Sequence, residues 1–544
     1  MKPICFKKNK LDSNIRFVMK GYSFLRKMRR VGLIADLKHQ LADIVFFNQK
    51  NLSSGSFYGC EVFDVNLVIQ QYMMMNLGGL KFNKALLYCL GRKTKFVYPM
   101  PKEWQDVADS NGILVDRMRC SLLWNGYLFL CWGFGIFWII KKIFESLFII
   151  VLKRKQNLGR YVYFSGLTEQ NLPSINSNQK NYDIISWYSL WNGRAQHIDS
   201  FVHNVSKAKL RYLQGKPVVS IQNSTLGFFR IKELVQFVIW SIKNILFSFI
   251  GFIYGRWWYP LFLKEAAQAA CVRFQDCEDL ARDYLFHNSG WIYRPLWTYE
   301  AEKKGSKILF FFYSTNCESF KTSLGYPLQE NCWNLVNWST YLVWDEYQAN
   351  FIRRETKQKA AIQVVGPIWF SDKAVILPNI SERAIAVFDV QPHRSSRYQI
   401  LGAAQEYYIP DISKAFIEDI YSVLKEYDIK IIFKRKRNIG KNAHPYYRTF
   451  LDRIAKNPSF VLIDSDISAI RVIEKCSAVI SMPFTSTAIL AKEMGKPSIY
   501  YDSKGIIQKD DRASHGTTVF SGKEELKIWI DHLVQNERIS KEND

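Results

Sequence analysis

The densest group of chemistry-bearing side chains lies in residues 477–502, SAVISMPFTSTAILAKEMGKPSIYYD. The spacing predicts a buried strand ending at Ser481 and a short turn through Pro483 and Phe484. Thr485, Ser486 and Thr487 then occupy the first turn of a helix that runs to Gly495. Unpaired amides and the positive dipole end meet at a helix N-terminus, so a helix starting at the carboxyl end of a parallel strand suits an anion. Ser and Thr are also ordinary helix caps, but three consecutive hydroxyls exceed what a cap requires. Upstream, the strand IKIIFK ends in Lys434, Arg435, Lys436 and Arg437, and a glycine-containing loop leads to Ala443-His444-Pro445-Tyr446. In a doubly wound sheet both groups emerge at one carboxyl edge. Cations, an imidazole and hydroxyls in one crevice would stabilise the charge that grows on a nucleoside mono- or diphosphate as it leaves. The competing reading is a solvated charge run with His444 as a helix cap.

The elements that must position these residues follow from pattern. At 544 residues the chain holds two to four domains. With 48% hydrophobic and 23% charged residues it is neither wholly disordered nor a polytopic transporter. From about Ser56 strands and helices alternate: TKFVYPMP and ILVDRM read as strands, KEWQDVADSNG as a helix, and after an apolar interruption the alternation resumes at RYVYFSGL. We expect a basic N-terminal arm at 1–55, a first Rossmann-like domain at 56–370 and a linker at 371–383. A second such domain at 384–535 and a tail at 536–544 complete the chain. In the second domain AIAVFDV, IKIIFK, FVLIDS, SAVISM and PSIYYDS form a parallel sheet.

Lys and Arg outnumber Asp and Glu by 74 to 49, a net charge of +25, so anionic partners are expected. A nucleic-acid-binding protein is disfavoured, because the basic residues cluster at apolar segments and no recognition motif occurs. The first fifty residues carry twelve Lys and Arg against three Asp. Two apolar segments, 122–155 and 234–259, interrupt the first domain. Leu122 to Ile140 has no charge and is long enough to cross a bilayer, but strand-like segments on both sides of it would have to share one sheet. Lys243 sits in the middle of the second segment. There Gln236, Ser241, Lys243, Asn244, Ser248, Gly251 and Gly255 fall on one arc and aliphatic residues on the other, which predicts an amphipathic helix lying in a membrane surface. Arg256, Trp257, Trp258 and Tyr259 have the composition of a headgroup-level anchor. A buried core hairpin is the alternative. The ten cysteines show neither a CxxC pair nor zinc spacing, and the N-terminus lacks the apolar core of a secretory signal.

The His444-Pro445 pair with a Ser/Thr-rich strand-to-helix turn resembles the donor domain of GT-B glycosyltransferases that use CMP-sugars. Met482-Pro483-Phe484-Thr485-Ser486 is closer still to the surface polysaccharide biosynthesis family named for its PFTS motif, which Lys496–Asp502 and Val387–Pro392 also fit. The resemblance is strongest over 300–520. It implies an α/β, GT-B-like fold of two Rossmann-like domains facing a cleft. In it His444, Pro445, Thr485, Ser486 and Thr487 hold the donor phosphate, with Asp389 in the matching segment and Lys434, Lys436 and Arg394 neutralising charge. Two departures stand out: the ribose-binding Glu pattern of many UDP-sugar enzymes and the acidic DG motif of CMP-sialic acid relatives are both missing. The base is therefore sought among Asp116, Asp199 and Glu318, each at the end of an expected first-domain strand, with Glu318 first because it follows the apolar strand Ile308–Tyr313.

The expected function is an inverting, metal-independent glycosyltransferase without a resident cofactor. It would move a sugar from a nucleotide donor, CMP-activated, to a lipid-linked acceptor of capsule or O-antigen at the cytoplasmic membrane face. A CDP-polyol phosphotransferase of the teichoic-acid type and a GT-B-like sugar-nucleotide epimerase are the alternatives.

Overall fold

The computed structural model describes all residues except 1–7, 31, 47–56, 61–63, 153–157, 174–180, 207, 222–226, 289–291, 316–317, 327–331, 357–358, 374, 381–382, 394–406, 436–439, 441–442 and 544. Up to residue 151 the described chain is mainly helical: α1 (Lys8–Lys27), α2 (Leu33–Ala42), α3 (Val65–Asn76), α4 (Leu80–Arg92), α5 (Lys102–Ser110) and α6 (Arg117–Val151). The strands expected at TKFVYPMP and ILVDRM are reduced to one parallel bridge, Phe96↔Val115. Pro99 and Pro101 lack the N–H groups a ladder needs, and Asp116 leaves the extended conformation to cap α6. The basic N-terminal segment is packed rather than free. α1 crosses α4 so closely that a Cβ on Gly21 would lie 1.9 Å from the Leu87 carbonyl oxygen.

The first sheet begins only at residue 161. It contains β1 (Tyr161–Phe164), β2 (Ser200–His203), β3 (Tyr212–Leu213), β4 (Lys216–Ser220), β5 (Asp283–His287), β6 (Lys307–Phe311), β7 (Thr340–Val343) and β8 (Ala361–Val364). Between these strands lie α7 (Ile184–Leu190), α8 (Ile231–Ile253), α9 (Trp258–Phe274), α10 (Leu296–Lys303) and α11 (Glu346–Glu355). The sheet order is β3-β4-β2-β1-β5-β6-β7-β8, parallel apart from the β3/β4 hairpin. The second sheet contains β9 (Ala384–Asp389), β10 (Lys430–Arg435), β11 (Phe460–Ile463), β12 (Ala478–Ser481), β13 (Ser498–Asp502) and β14 (Val519–Ser521). Its order is β11-β10-β9-β12-β13-β14, every pair parallel. Leaving aside the β3 hairpin strand, both sheets read third-second-first-fourth-fifth-sixth from one side, and the first adds β8 as a seventh strand. That is the doubly wound order, in which ligands bind where the winding reverses. β1, β2, β9 and β12 are buried along their whole length, as strands covered by helices on both faces must be. The arrangement is the expected GT-B-like one.

α6, α8 and α9 form a helical layer on the first domain. The rings of Trp124 and Trp257 lie 5.3 Å apart, and Gly135 abuts Leu263, so α6 runs parallel to α9. Trp132 Nε1 donates to Ser248 Oγ at 2.9 Å and the Phe228 amide to Ser146 Oγ at 3.0 Å, so α8 runs antiparallel to α6. The apolar segment expected at 122–155 lies, as far as Val151, within one continuous 35-residue helix that starts at Arg117. On α8 the arc of small polar residues turns inward: Ser241, Asn244, Ser248 and Gly251 are buried, whereas Val235, Ile239, Ile242, Leu246, Ile250 and Ile253 are exposed. Among the described residues α8 is the one helix apolar and long enough to cross a membrane by length and composition.

Candidate functional site

The carboxyl edges of the two sheets face each other across a cavity of about 770 Å³. Its wall draws on the reversal point of each sheet: Gly166 and His287 follow β1 and close β5, while Asp389 and Thr485 close β9 and follow β12. The linker supplies the floor through Trp369, Phe370 and Asp372. Arg471 ties that linker to the second domain, bonding the Lys373 and Val375 carbonyls at 3.0 and 2.8 Å.

The Pro-Phe-Thr-Ser turn gains its shape from one unusual residue. Phe484 adopts a left-handed backbone, φ 61°, rare for a bulky side chain. It is held there by edge-on packing against Phe320 and Tyr500, at 4.8 and 5.6 Å. Tyr408 and Tyr500 hydroxyls donate to the carbonyls of Pro483 and Thr485 at 2.9 and 2.7 Å, fixing the chain on both sides. The helix Ser486–Glu493 therefore starts at the cleft, and no side chain caps it. The hydroxyls are engaged in the turn: Thr485 Oγ1 donates to the Met482 carbonyl at 2.9 Å, and Thr487 shares bonds with Ser481 and Thr485. Ser486 Oγ accepts from the Thr315 amide of the first domain at 3.0 Å. The anion-binding capacity of this turn thus lies in its first backbone amides, and the hydroxyls keep those amides in place.

Beneath the turn, Lys434 and Asp389 are both buried. Lys434 Nζ donates to the Ser465 carbonyl at 3.1 Å. Burial pulls its pKa down to about 8, against the pull of Asp464, Asp466 and Asp389. Asp389 accepts from the Tyr447 hydroxyl through Oδ2, while Oδ1 is buried with no hydrogen-bond partner. Burial pushes its carboxyl up to about 7, with Arg435 and Lys434 opposing. A near-neutral carboxyl and a weakened cation on adjacent strands form a floor that can exchange charge with an anion above it.

His444 stands at the N-terminus of the helix Pro445–Ile454, whose first residue, Pro445, has the fixed φ a helix start prefers. The His444 amide donates to the Pro392 carbonyl at 2.9 Å, and its Nδ1 is buried without a partner. The wall of the cavity does not include His444. Lys436 and Arg394 fall outside the described residues.

None of the three expected bases lines the cavity. Asp116 caps α6, accepting from the Arg119 amide at 3.2 Å. Asp199 precedes β2 at the amino edge of the sheet, away from the cleft, and accepts from the Arg160 amide at 2.7 Å. Glu318 is buried between two guanidinium groups, Arg354 at 2.5 Å and Arg512 at 3.1 Å, so it joins the two domains as an ion-paired carboxylate. Both guanidinium groups occupy this carboxylate, and it does not face the cavity. These three assignments are therefore corrected.

The first domain offers His287 instead, the last residue of β5. Its Nε2 lies 3.2 Å from the Gly166 carbonyl oxygen. A carbonyl only accepts, so Nε2 carries the proton and Nδ1 is the basic nitrogen. Gly166, at φ 70°, permits the approach, since a Cβ there would stand 3.0 Å from Nε2. Burial lowers the pKa of this imidazole below its ordinary value and so favours the neutral form, while the Gly166 bond opposes this in part. The signal was present in the sequence as an imidazole closing the strand DYLFH directly after the apolar Leu285 and Phe286.

The family model described as "Polysaccharide biosynthesis PFTS motif protein" matches residues 240–530, more than half of the chain. No curated protein matches. Among solved structures, the UDP-GlcNAc 2-epimerase from Methanocaldococcus jannaschii is 10% identical, with a TM-score of 0.35 over 68% of this chain and 91% of that one. The wall teichoic acid polymerase TagF is 11% identical, with a TM-score of 0.36 over 74% and 90%. Anabaena HepE, solved with UDP and glucose, is 10% identical, with a TM-score of 0.35 over 70% and 91%.

Proposed function

Since the chain belongs to the PFTS-motif family of polysaccharide biosynthesis proteins, we propose that it is a membrane-associated glycosyltransferase acting at the cytoplasmic face. It transfers a sugar from a nucleotide-activated donor, CMP-activated in the first instance, to a lipid-linked saccharide of a surface polysaccharide such as capsule or O-antigen. The observation that carries this reading is the opposition of His287 and the Thr485–Ser486 turn across one cavity at the reversal points of both sheets.

In this reading the donor phosphate sits on the first amides of the helix Ser486–Glu493. The positive end of that helix and Lys434 below it stabilise the charge that develops as the bond from sugar to phosphate breaks. His287 Nδ1 takes the proton of the acceptor hydroxyl as its oxygen bonds to the anomeric carbon from the opposite side, which inverts the configuration. Positive charge from the chain's own amides and lysine serves the leaving group, and no metal is assigned to the step. His444 remains a donor-side candidate.

Thermal-shift measurements on the full chain with CMP, CDP, UDP and GDP, followed by assay of CMP release from CMP-sugars, test the proposal. Cytidine nucleotides should raise the melting temperature most. A shift confined to UDP would remove the CMP donor, and no shift with any nucleotide would remove the transferase reading.

A further inference from the structure

α6 and α8 both turn apolar side chains to the outside. On α8 Leu234 and Phe237 face the protein in the first turns, followed by Ser241, Asn244, Ser248 and Gly251 at the 3-4-3 spacing of a helix face. Their polar groups are satisfied locally: Ser241 Oγ donates to the Phe237 carbonyl and Asn244 Nδ2 to the Trp240 carbonyl, at 2.7 and 2.8 Å. The opposite face presents Ile239 at 64% exposure and Ile253 at 66%. α6 is apolar on both sides: Trp124, Leu128, Trp138 and Ile139 are buried against the body beside Ser146 and Lys142, which pairs with Glu145 at 3.2 Å, while Phe137, Phe144 and Phe148 stand outward. A helix on water buries its apolar stripe and exposes its polar one. Two adjacent helices with apolar outer faces, joined through Trp132 and Ser248, make one continuous apolar surface far larger than scattered surface aliphatics.

We propose that this α6/α8 surface is a monotopic docking face for an anionic lipid bilayer, with both helices lying in the membrane plane. The inference adds to the proposed function the surface by which the enzyme would meet its lipid-linked acceptor. Three observations choose the occupant and its geometry. Cations border the surface: Lys232 and Arg256 stand exposed at the two ends of α8 and Lys243 along its stripe, while the exposed Arg117, Arg119 and Lys141 of α6 are paired with Asp106 and Asp109, Asp116 and Glu145; the cations of α8 complement anionic headgroups. A second copy of the chain would bring the same basic rim and a further +25 against it. Finally, α6 follows α9 from Trp124 to Gly135, and α9 is itself buried against α10, its Arg273 paired with Glu300 at 2.7 Å. A bilayer crossed by α6 or α8 would have to engulf the folded body to which both adhere. With one face immersed, the membrane reaches only the outward side chains.

The orientation follows from α9. It precedes β5 and lies alongside α10, with Glu265 bonded to Tyr293 near the carboxyl edge and Arg273 paired with Glu300 farther along. The α8–α9 corner, with Tyr254, Arg256, Trp257 and Trp258, therefore lies toward the cleft edge of the first sheet. An aromatic and cationic corner at headgroup level sets that edge toward the membrane surface.

The test uses full-length protein and vesicles of phosphatidylglycerol and phosphatidylethanolamine. Wild type should pellet with them, and 0.5 M salt should weaken this only in part. The triple variant Phe144→Lys/Ile239→Lys/Leu246→Lys should partition at least tenfold less, with near-ultraviolet circular dichroism and nucleotide-induced thermal shift unchanged. The single variant Ile242→Lys provides the same reading if the triple fails to fold. Lipids carrying a diazirine at a shallow acyl position should label both ends and the middle of α6 and α8 alike. Wild type left in the supernatant, a variant that still pellets, labelling confined to helix centres by a mid-bilayer diazirine, or a dimer whose formation abolishes vesicle binding would each overturn the proposal. Loss of nucleotide binding with vesicle binding intact would instead strike the cleft reading.

Discussion

The backbone amide of Thr315, just beyond β6 of the first domain, donates at 3.0 Å to Oγ of Ser486 in the second, and its own hydroxyl lies 3.2 Å from the same oxygen. The serine of the Pro-Phe-Thr-Ser turn is thus a fastening between the domains at the cleft itself. Ser486→Ala should loosen this fastening by about 0.5–1.5 kcal/mol, the ordinary net worth of such a bond. Nucleotide affinity measured by calorimetry should fall up to about tenfold, with the melting temperature nearly unchanged. An unaltered affinity would leave the Ser486 hydroxyl without a role in holding the anion site.

His287→Gln should lower kcat by about 10²- to 10⁴-fold, as loss of a general base does, while nucleotide affinity stays at the wild-type value. The acid limb of the wild-type kcat/KM profile should lie below the ordinary imidazole range, because burial lowers the His287 pKa. Activity then persists as pH falls toward that pKa and is lost below it. A wild-type rate in the folded variant would return the search for the base to other residues.

Glu318→Gln offers the contrast. Its carboxylate is 5% exposed and bridges Arg354 and Arg512, so removing its charge should cost up to about 3–5 kcal/mol of stability, less for the partial exposure of both arginines. Denaturant unfolding should report this loss. The turnover of protein that remains folded should fall less than tenfold. A hundredfold loss in kcat with unchanged stability would restore Glu318 as the base.

The pH dependence of folding should carry the mark of Asp389. Its carboxyl ionises near 3.8 when unperturbed and at about 7 in the fold. Between these values the unfolded chain gives up its proton first, so the Asp389 contribution erodes stability as pH rises from about 4 to 7 and levels off above. At a shift of this size the erosion approaches about 4 kcal/mol. Asp389→Asn should remove it, so the stability of the variant relative to wild type should climb over that window. Parallel curves would mean that Asp389 is ionised throughout.

The parts of this fold with unbroken local signals were legible. AIAVFDV, IKIIFK and SAVISM are apolar runs between turn signals, and they became β9, β10 and β12. β14 was missed because three residues, Val519–Ser521, carry too little pattern. TKFVYPMP misled because its apolar alternation outweighed two prolines. The site divided in the same way. The Thr485–Thr487 turn is encoded within a dozen residues, whereas pairing of Glu318 with Arg512 depends on a contact between domains far apart in sequence. His287 was overlooked because one imidazole ending a strand becomes informative only when another strand end faces it. On α8 a helical wheel does not state which side meets protein: Ser241, Asn244, Ser248 and Gly251 of the expected polar arc turned inward, Gln236, Lys243 and Gly255 stayed exposed, and Leu234 of the aliphatic arc is buried.

That reversal sets different rules of replacement on the two sides of one helix. Inward, volume decides: a methyl group at Gly251 would come within 2.9 Å of the Tyr259 ring, and one at Gly135 on α6 within 3.0 Å of Leu263. Even alanine is a burden at such positions. Outward, at Val235, Ile242 or Ile250, Leu, Ile, Val, Met and Phe should interchange with little effect, because these side chains are exposed and the proposed bilayer would impose no shape on them. A single Asp or Glu would be resisted there. Related chains should therefore drift freely in side-chain form along the outer stripe while keeping its apolarity, and hold the inner stripe small.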